Sequence, residues 1–172
     1  MASEPTADRE TATLLSYLDA QREHVLDITD GLDDAALRRA MLPSGWSCLG
    51  VIQHLALDVE RFWFRAVLAG EQAVIEQAGE SGDNAWIVPS DVTAREVFDL
   101  YRHEIRRANA IISATPIDAA PAWWPRELFG DWRLGDLREI MLHAIVETAC
   151  HAGHLDAARE LIDGRQWLVL TG

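Results

Sequence analysis

Three histidines, a glutamate and a cysteine share twelve positions in the run HAIVETACHAGH, His143 to His154. These side chains hold transition metals or move protons near neutral pH. If the run is helical, each residue advances about 100° and about 1.5 Å. With His143 at zero, Cys150 lies at about −20°, His154 at about 20°, Glu147 at about 40° and His151 at about 80°. All five then occupy about a third of the circumference, on the side that carries Ala144 and is flanked by Ile140 and Leu155. Polar groups on an inward face are costly unless something satisfies them.

One metal ion cannot take all five, because His143 and His151 stand about 12 Å apart along the axis. Pairs at i, i+3 or i, i+4 can converge. Glu147 with His151 is the central pair; His143 with Glu147 and His151 with His154 are the alternatives. A second helix must supply another ligand, and His54, near the edge of an apolar face, is the natural candidate. Two histidines and a carboxylate suit Zn²⁺, and also Fe²⁺ or Ni²⁺, with a coordination position left for water or substrate.

Four long helical segments position these residues. The first spans about Ala7 to Asp30 on the stripe Leu14, Leu15, Leu18, Val25 and Ile28, closed by Gly31. A helical turn at Asp33 to Arg39 follows, then the breaker Pro43-Ser44-Gly45. Ser47 caps a second helix, Cys48 to about Ala69. Residues 71–90 read as a long loop with a short helix inside. The capping box Thr93-Ala94-Arg95-Glu96 opens a third helix to about Ser113. Another long connection, 115–132, holds three prolines and three tryptophans. The last helix runs from near Leu134 to Ile162, with Asp163-Gly164 as its stop. The tail Gln166-Trp167-Leu168-Val169-Leu170 is expected to be a short strand or an extended segment. The expectation is a single all-α domain over 1–172, a four-helix bundle with two long connections and a short extended tail.

Composition excludes several partners. With 15 Lys+Arg against 28 Asp+Glu the formal net charge is −13, and no basic cluster is present to neutralise phosphates. Nucleic acid and anionic membrane surfaces are therefore disfavoured. No apolar run reaches the ~20 residues of a membrane span, and the first residues show no secretory pattern, so a cytoplasmic location is expected. The two cysteines, Cys48 and Cys150, form no CxxC pattern and are expected as free thiols in the core.

Other groups have assignable roles. His143 is expected as a buried hydrogen-bonding residue and His154 as a residue behind the ligands or a proton shuttle, while His24 and His103 have no partner pattern. Trp46 and Trp63 are expected in the core. Trp123, Trp124 and Trp132 are expected at a pocket mouth beside the last helix or at an oligomer contact. Arg126 and Arg133 could meet an anionic substrate or the carboxylates of a thiol cofactor, with Trp132 beside them.

Several of these segments carry a resemblance. Gly45-Trp46-Ser47, Val51-Ile52-Gln53-His54-Leu55, Leu137-Arg138-Glu139-Ile140-Met141-Leu142-His143 and Glu147-Thr148-Ala149-Cys150-His151-Ala152-Gly153-His154-Leu155-Asp156 resemble the DinB/YfiT-like superfamily over nearly the whole chain. The nearest branch is the actinobacterial DinB-like proteins that include mycothiol transferases, with the mycothiol-dependent maleylpyruvate isomerase more distant. The resemblance implies a four-helix bundle and one divalent metal held by His54, Glu147 and His151. Many DinB-like proteins have a third histidine where this chain has Glu147; the isomerase has glutamate there, which tilts the choice toward zinc. The related branch commonly has arginine where Cys150 stands.

The implied activity is thiol transfer: a mycothiol-like thiol, activated at the His₂Glu site, attacks a small electrophile. His143, His154 and Asp58 would surround the site with hydrogen bonds. The alternatives are a metal-dependent hydrolase and a non-enzymatic bundle that binds a small molecule or a metal. A monomer and a homodimer are both compatible with this reading.

Overall fold

The computed structural model describes residues 6–80 and 85–167. Among these the chain is all-α, and the extended pairing is limited to an isolated bridge between Ala40 and Ser47. The elements are α1 (Thr6–Thr29), α2 (Asp34–Arg38), α3 (Cys48–His54), a π-helical segment (Leu55–Leu68) that continues α3, α4 (Gln72–Glu80), α5 (Ala94–Ala114), α6 (Arg126–Phe129) and α7 (Leu137–Asp163).

The helix ends follow local chemistry. Ser47 Oγ accepts from the Gly50 amide at 3.1 Å, and Thr93 and Glu96 form the reciprocal capping box. Gly164 closes α7 with φ of 79°, a left-handed cap that glycine adopts without strain. Leu134, expected near the start of that helix, instead precedes it. Asp136 caps the Glu139 amide at 2.9 Å, and the Glu139 carboxylate accepts from Gly135 N–H at 2.6 Å, so the helix begins at Leu137. The tail lies mostly outside the described residues. Its Trp167 stacks on His24 with centroids 4.5 Å apart, and His24 also meets Asp156 at 2.8 Å.

The π segment has a readable cause. Buried pairs recur every four residues at Leu55–Ala56, Val59–Glu60, Trp63–Phe64 and Val67–Leu68. A helix of about 3.6 residues per turn would carry that stripe round by about 40° at each repeat and lose contact with its neighbours. The looser winding, seen where Ala69 N–H reaches Phe64 O five residues back, turns the stripe the other way by a somewhat smaller angle, and the segment packs on α5 and α7.

Side-chain pairs along the interfaces give the helix directions. α1 and α7 run parallel: Glu10 meets Arg138, His24 meets Asp156, and the Ile28 carbonyl meets Arg159. α7 runs against α3 and its π extension, since His151 lies beside His54 and His143 beside Trp63. The π segment and α5 run together, from Arg61–Glu104 to Glu71–Arg107. The long helices therefore go up, down, down and up, which requires the long crossover through residues 69–93. The second connection is tied down too. Trp123 N–H donates to Val67 O at 3.1 Å and Leu137 N–H to Ala119 O at 3.0 Å.

Charges enter the core as a balanced group. The buried Arg22 guanidinium donates to both oxygens of the buried Glu60 at 2.7 and 2.5 Å, and to Asp19 and Asn109 at 2.7 Å. Glu104 accepts from Arg61 and Arg65, and Glu71 from Arg65 and Arg107. Burial pushes the Glu60 carboxyl up against the opposing pull of Arg22.

Candidate metal centre

His54, Glu147 and His151 come together. One ligand atom from each lies within 4.8 Å of the other two. A point within about 2.8 Å of all three atoms therefore exists, and sub-ångström side-chain shifts reach the roughly 2.0–2.2 Å of zinc–nitrogen and zinc–oxygen bonds. Two imidazoles and one carboxylate fit a divalent transition cation in number and kind.

Both histidines have a partner behind them. His54 is the last residue of α3, and its Nδ1 meets Asp58 Oδ2 at 2.8 Å one turn on. That contact leaves Nε2 for the centre, the arrangement in which a carboxylate fixes the tautomer of a metal-binding histidine. His151 Nε2 lies 3.7 Å from Glu147 Oε2, and its Nδ1 makes a long 3.4 Å contact with His154 Nδ1. Burial first, then the charges of His54 and His154, lowers the His151 pKa to about 4. Neutral imidazole is the form that binds metal.

The five polar residues of α7 are not centred on its inward face. The buried stripe Leu137, Ile140, Ala144, Thr148, His151, Leu155 and Arg159 is centred at about 115° on the scale that puts His143 at zero. His151 lies close to that centre and is buried at 8% exposure, while Glu147 is half-buried and His154 and Cys150 are exposed. This corrects the expectation that Cys150 is a core residue: at about −20° it falls beyond the edge of the stripe. Cys48 is in the core, and burial pushes its thiol up to about 11. His143, half-buried, is packed by aromatic rings, with Trp63 at 4.7 Å and Trp132 at 5.5 Å. Burial lowers its pKa, opposed by Glu147.

The residue that sequence reasoning missed is Trp86. Its ring stacks on His54 at 4.1 Å and 20°, and meets His151 edge-on at 5.3 Å. Segment 85–88 reaches α3 because Gly50 has no side chain: a Cβ there would stand 2.2 Å from the Trp86 carbonyl oxygen. Gln53 Nε2 then donates to Ala85 O at 2.8 Å and Ile87 O at 3.3 Å. A glycine inside a helix, three residues after its cap, is the signal that pointed there.

Trp46 is half-buried, 5.9 Å from His154, and Trp63 is buried. Arg126, Trp132 and Arg133 are brought together with Trp124, Gly130 and Asp131 around a second cavity, while Trp123 packs on Phe62 at 6.2 Å. His103 is exposed on α5.

An all-α chain whose helices bring two histidines and a carboxylate to one point belongs to the class of helical proteins with a candidate metal centre. The family model of the mycothiol-S-transferases matches residues 13–164, and the chain belongs to that family. The match agrees with the resemblance to the actinobacterial DinB-like branch. No curated protein and no solved structure matches the chain. No helix among the described residues is long and apolar enough to cross a membrane.

Proposed function

We propose that this protein is a divalent-metal-dependent thiol S-transferase built as a four-helix bundle, with His54, Glu147 and His151 as ligands of a zinc ion and mycothiol as the thiol. The observation that carries the reading is the convergence of those three side chains in a chain of the mycothiol-S-transferase family. When bound, the cation supplies positive charge that favours thiolate over thiol.

The protein's own residues do the rest. Asp58 holds His54 with its free nitrogen inward, and Trp86 covers that ring and limits its rotation. His154, exposed beside His151, takes the thiol proton. The thiolate sulfur then bonds to the electrophilic carbon as the leaving group departs with its electron pair. Because Glu147 sits at the edge of the buried stripe, small molecules reach the centre without the core opening.

Elemental analysis of the purified full chain, with and without H54A/H151A, is the direct test. About one zinc per chain in the parent and none in the variant is expected, together with conjugation of 1-chloro-2,4-dinitrobenzene that depends on mycothiol over glutathione and bacillithiol. Unchanged metal content in the double variant removes the metal centre. Turnover independent of any thiol makes the protein a hydrolase instead.

A further inference from the structure

The second cavity, of about 340 Å³, is lined by Trp124, Arg126, Gly130, Asp131, Trp132 and Arg133. Its construction is local. Gly130 ends α6 at φ of 58° and ψ of −125°, a conformation that side chains disfavour. The turn at this glycine lets Asp131 to Arg133 line the same space as Trp124 and Arg126. Trp132 packs against Trp124 at 5.7 Å and Phe129 at 5.2 Å, giving the cavity an aromatic wall.

Its charge is unusual for this molecule. The chain carries a net charge of −13, and most of its arginines are paired with carboxylates. Arg126 and Arg133 make no side-chain ion pair or hydrogen bond among the described residues, although Asp131 lines the same space. Two guanidinium forks and aromatic walls fit a carboxylate on an apolar body.

A chain of side-chain contacts links the cavity wall to the helix that carries Glu147 and His151. Trp132 meets His143, and His143 precedes Glu147 by one turn and His151 by two on the same side of α7. His143 itself stands about 6 Å from Glu147 and about 12 Å from His151 along the axis, and the arginines lie beyond it, past Trp132.

We propose that this cavity binds the carboxylate of the electrophilic acceptor and so selects acceptors with an anionic end and an apolar body, the electrophilic carbon lying at the other end. The assignment to the acceptor rests on the thiol-transfer reading; the anion site itself does not.

Titration of the full chain with 3-phenylpropionate and with its uncharged amide, followed by calorimetry, tests the site alone. The acid is expected to bind at least tenfold more tightly than the amide, R126Q/R133Q to lose that preference, and R126K/R133K to keep part of it. Metal removal by chelation should leave the acid's affinity unchanged. Equal binding of acid and amide, or wild-type affinity in R126Q/R133Q with an unaltered melting curve, overturns the site. Its source is separated by transfer kinetics. A fall of at least tenfold in the preference for 4-chloro-3-nitrobenzoate over 1-chloro-2,4-dinitrobenzene in R126Q/R133Q supports the acceptor. A rise in KM for mycothiol against both acceptors assigns the cavity to the thiol and overturns the acceptor assignment. Absence of transfer by the parent protein defeats the functional reading, and with it the acceptor assignment, while the calorimetric result still decides the site.

Discussion

The helix from Cys48 to Leu68 contributes to two polar clusters, and they solve the problem of burial in opposite ways. Around Glu60, four carboxylates (Asp19, Glu60, Glu71, Glu104) face four guanidiniums (Arg22, Arg61, Arg65, Arg107). Every charge there has a counter-charge within the chain, so the cluster has no vacancy for an ion. Around His54, two imidazoles and one carboxylate bring a ligand atom each to within 4.8 Å of one another, while on the far side Asp58 accepts from His54 Nδ1 and His154 lies beside His151. The first cluster stabilises a fold; the second is completed only from outside. What separates them is not polarity but balance.

The largest effect should come from unbalancing the first cluster. Glu60→Ala leaves the buried Arg22 with only the part-exposed Asp19 as counter-charge, and is expected to cost about 3 kcal/mol in urea unfolding, whereas Arg22→Met combined with Glu60→Leu should cost much less. Metal content should stay at the parent level in both, measured below their melting temperatures. Gly50→Ala strikes the wall of the second cluster. Its new methyl must push the Trp86 backbone away, at about 1–3 kcal/mol by calorimetry, with weaker metal binding as Trp86 leaves His54.

Near neutral pH the expected effect comes from the second cluster, since the shifted groups of the first are carboxylates and arginines. The folded His151 pKa of about 4 lies below its ordinary 6.5, so the unfolded chain binds more protons between those values. Stability of the metal-free protein should be flat above pH 7 and fall by on the order of 1 kcal/mol by pH 5.5, continuing down to about pH 4. His151→Gln should flatten that slope; an unchanged slope places the proton uptake elsewhere. The smallest stability change, within about 0.5 kcal/mol, is expected for Asp58→Asn at the surface, yet metal affinity should drop about 10–100-fold. Equal affinity would mean that Asp58 does not orient His54.

The sequence carried the frame of both the fold and the centre. Ser47, the Thr93–Glu96 box, Gly31 and Gly164 mark helix ends because capping is local chemistry. Glu147 and His151 share a side of one helix by spacing alone, His54 is offered by its place near the edge of an apolar face, and the family resemblance selects the three together. The missed features depend on tertiary context. Trp86 arrives from a distant segment, and its only trace is the missing side chain of Gly50. Arg22 reads as a surface charge, although it lies four residues after Leu18 and three before Val25, on the apolar stripe of α1. The four-residue repeat from Leu55 to Leu68 was visible, but a helical eye set to 3.6 passes over it. Cys150 was misplaced because angles relative to His143 do not reveal where the core lies.

The parallel pairing of α1 with α7 has a consequence for how the molecule is made. Arg138 reaches Glu10 across 128 residues of chain, and Arg159 reaches Ile28 across 131. Contacts of such separation slow folding, because a large loop closes before they form. During synthesis, α1 and the segment bearing His54 emerge long before the helix that pairs with one and supplies two ligands to complete the other. The candidate centre is thus among the last parts of the molecule to exist, and the three side chains that could hold a metal ion come together only once the final helix has docked.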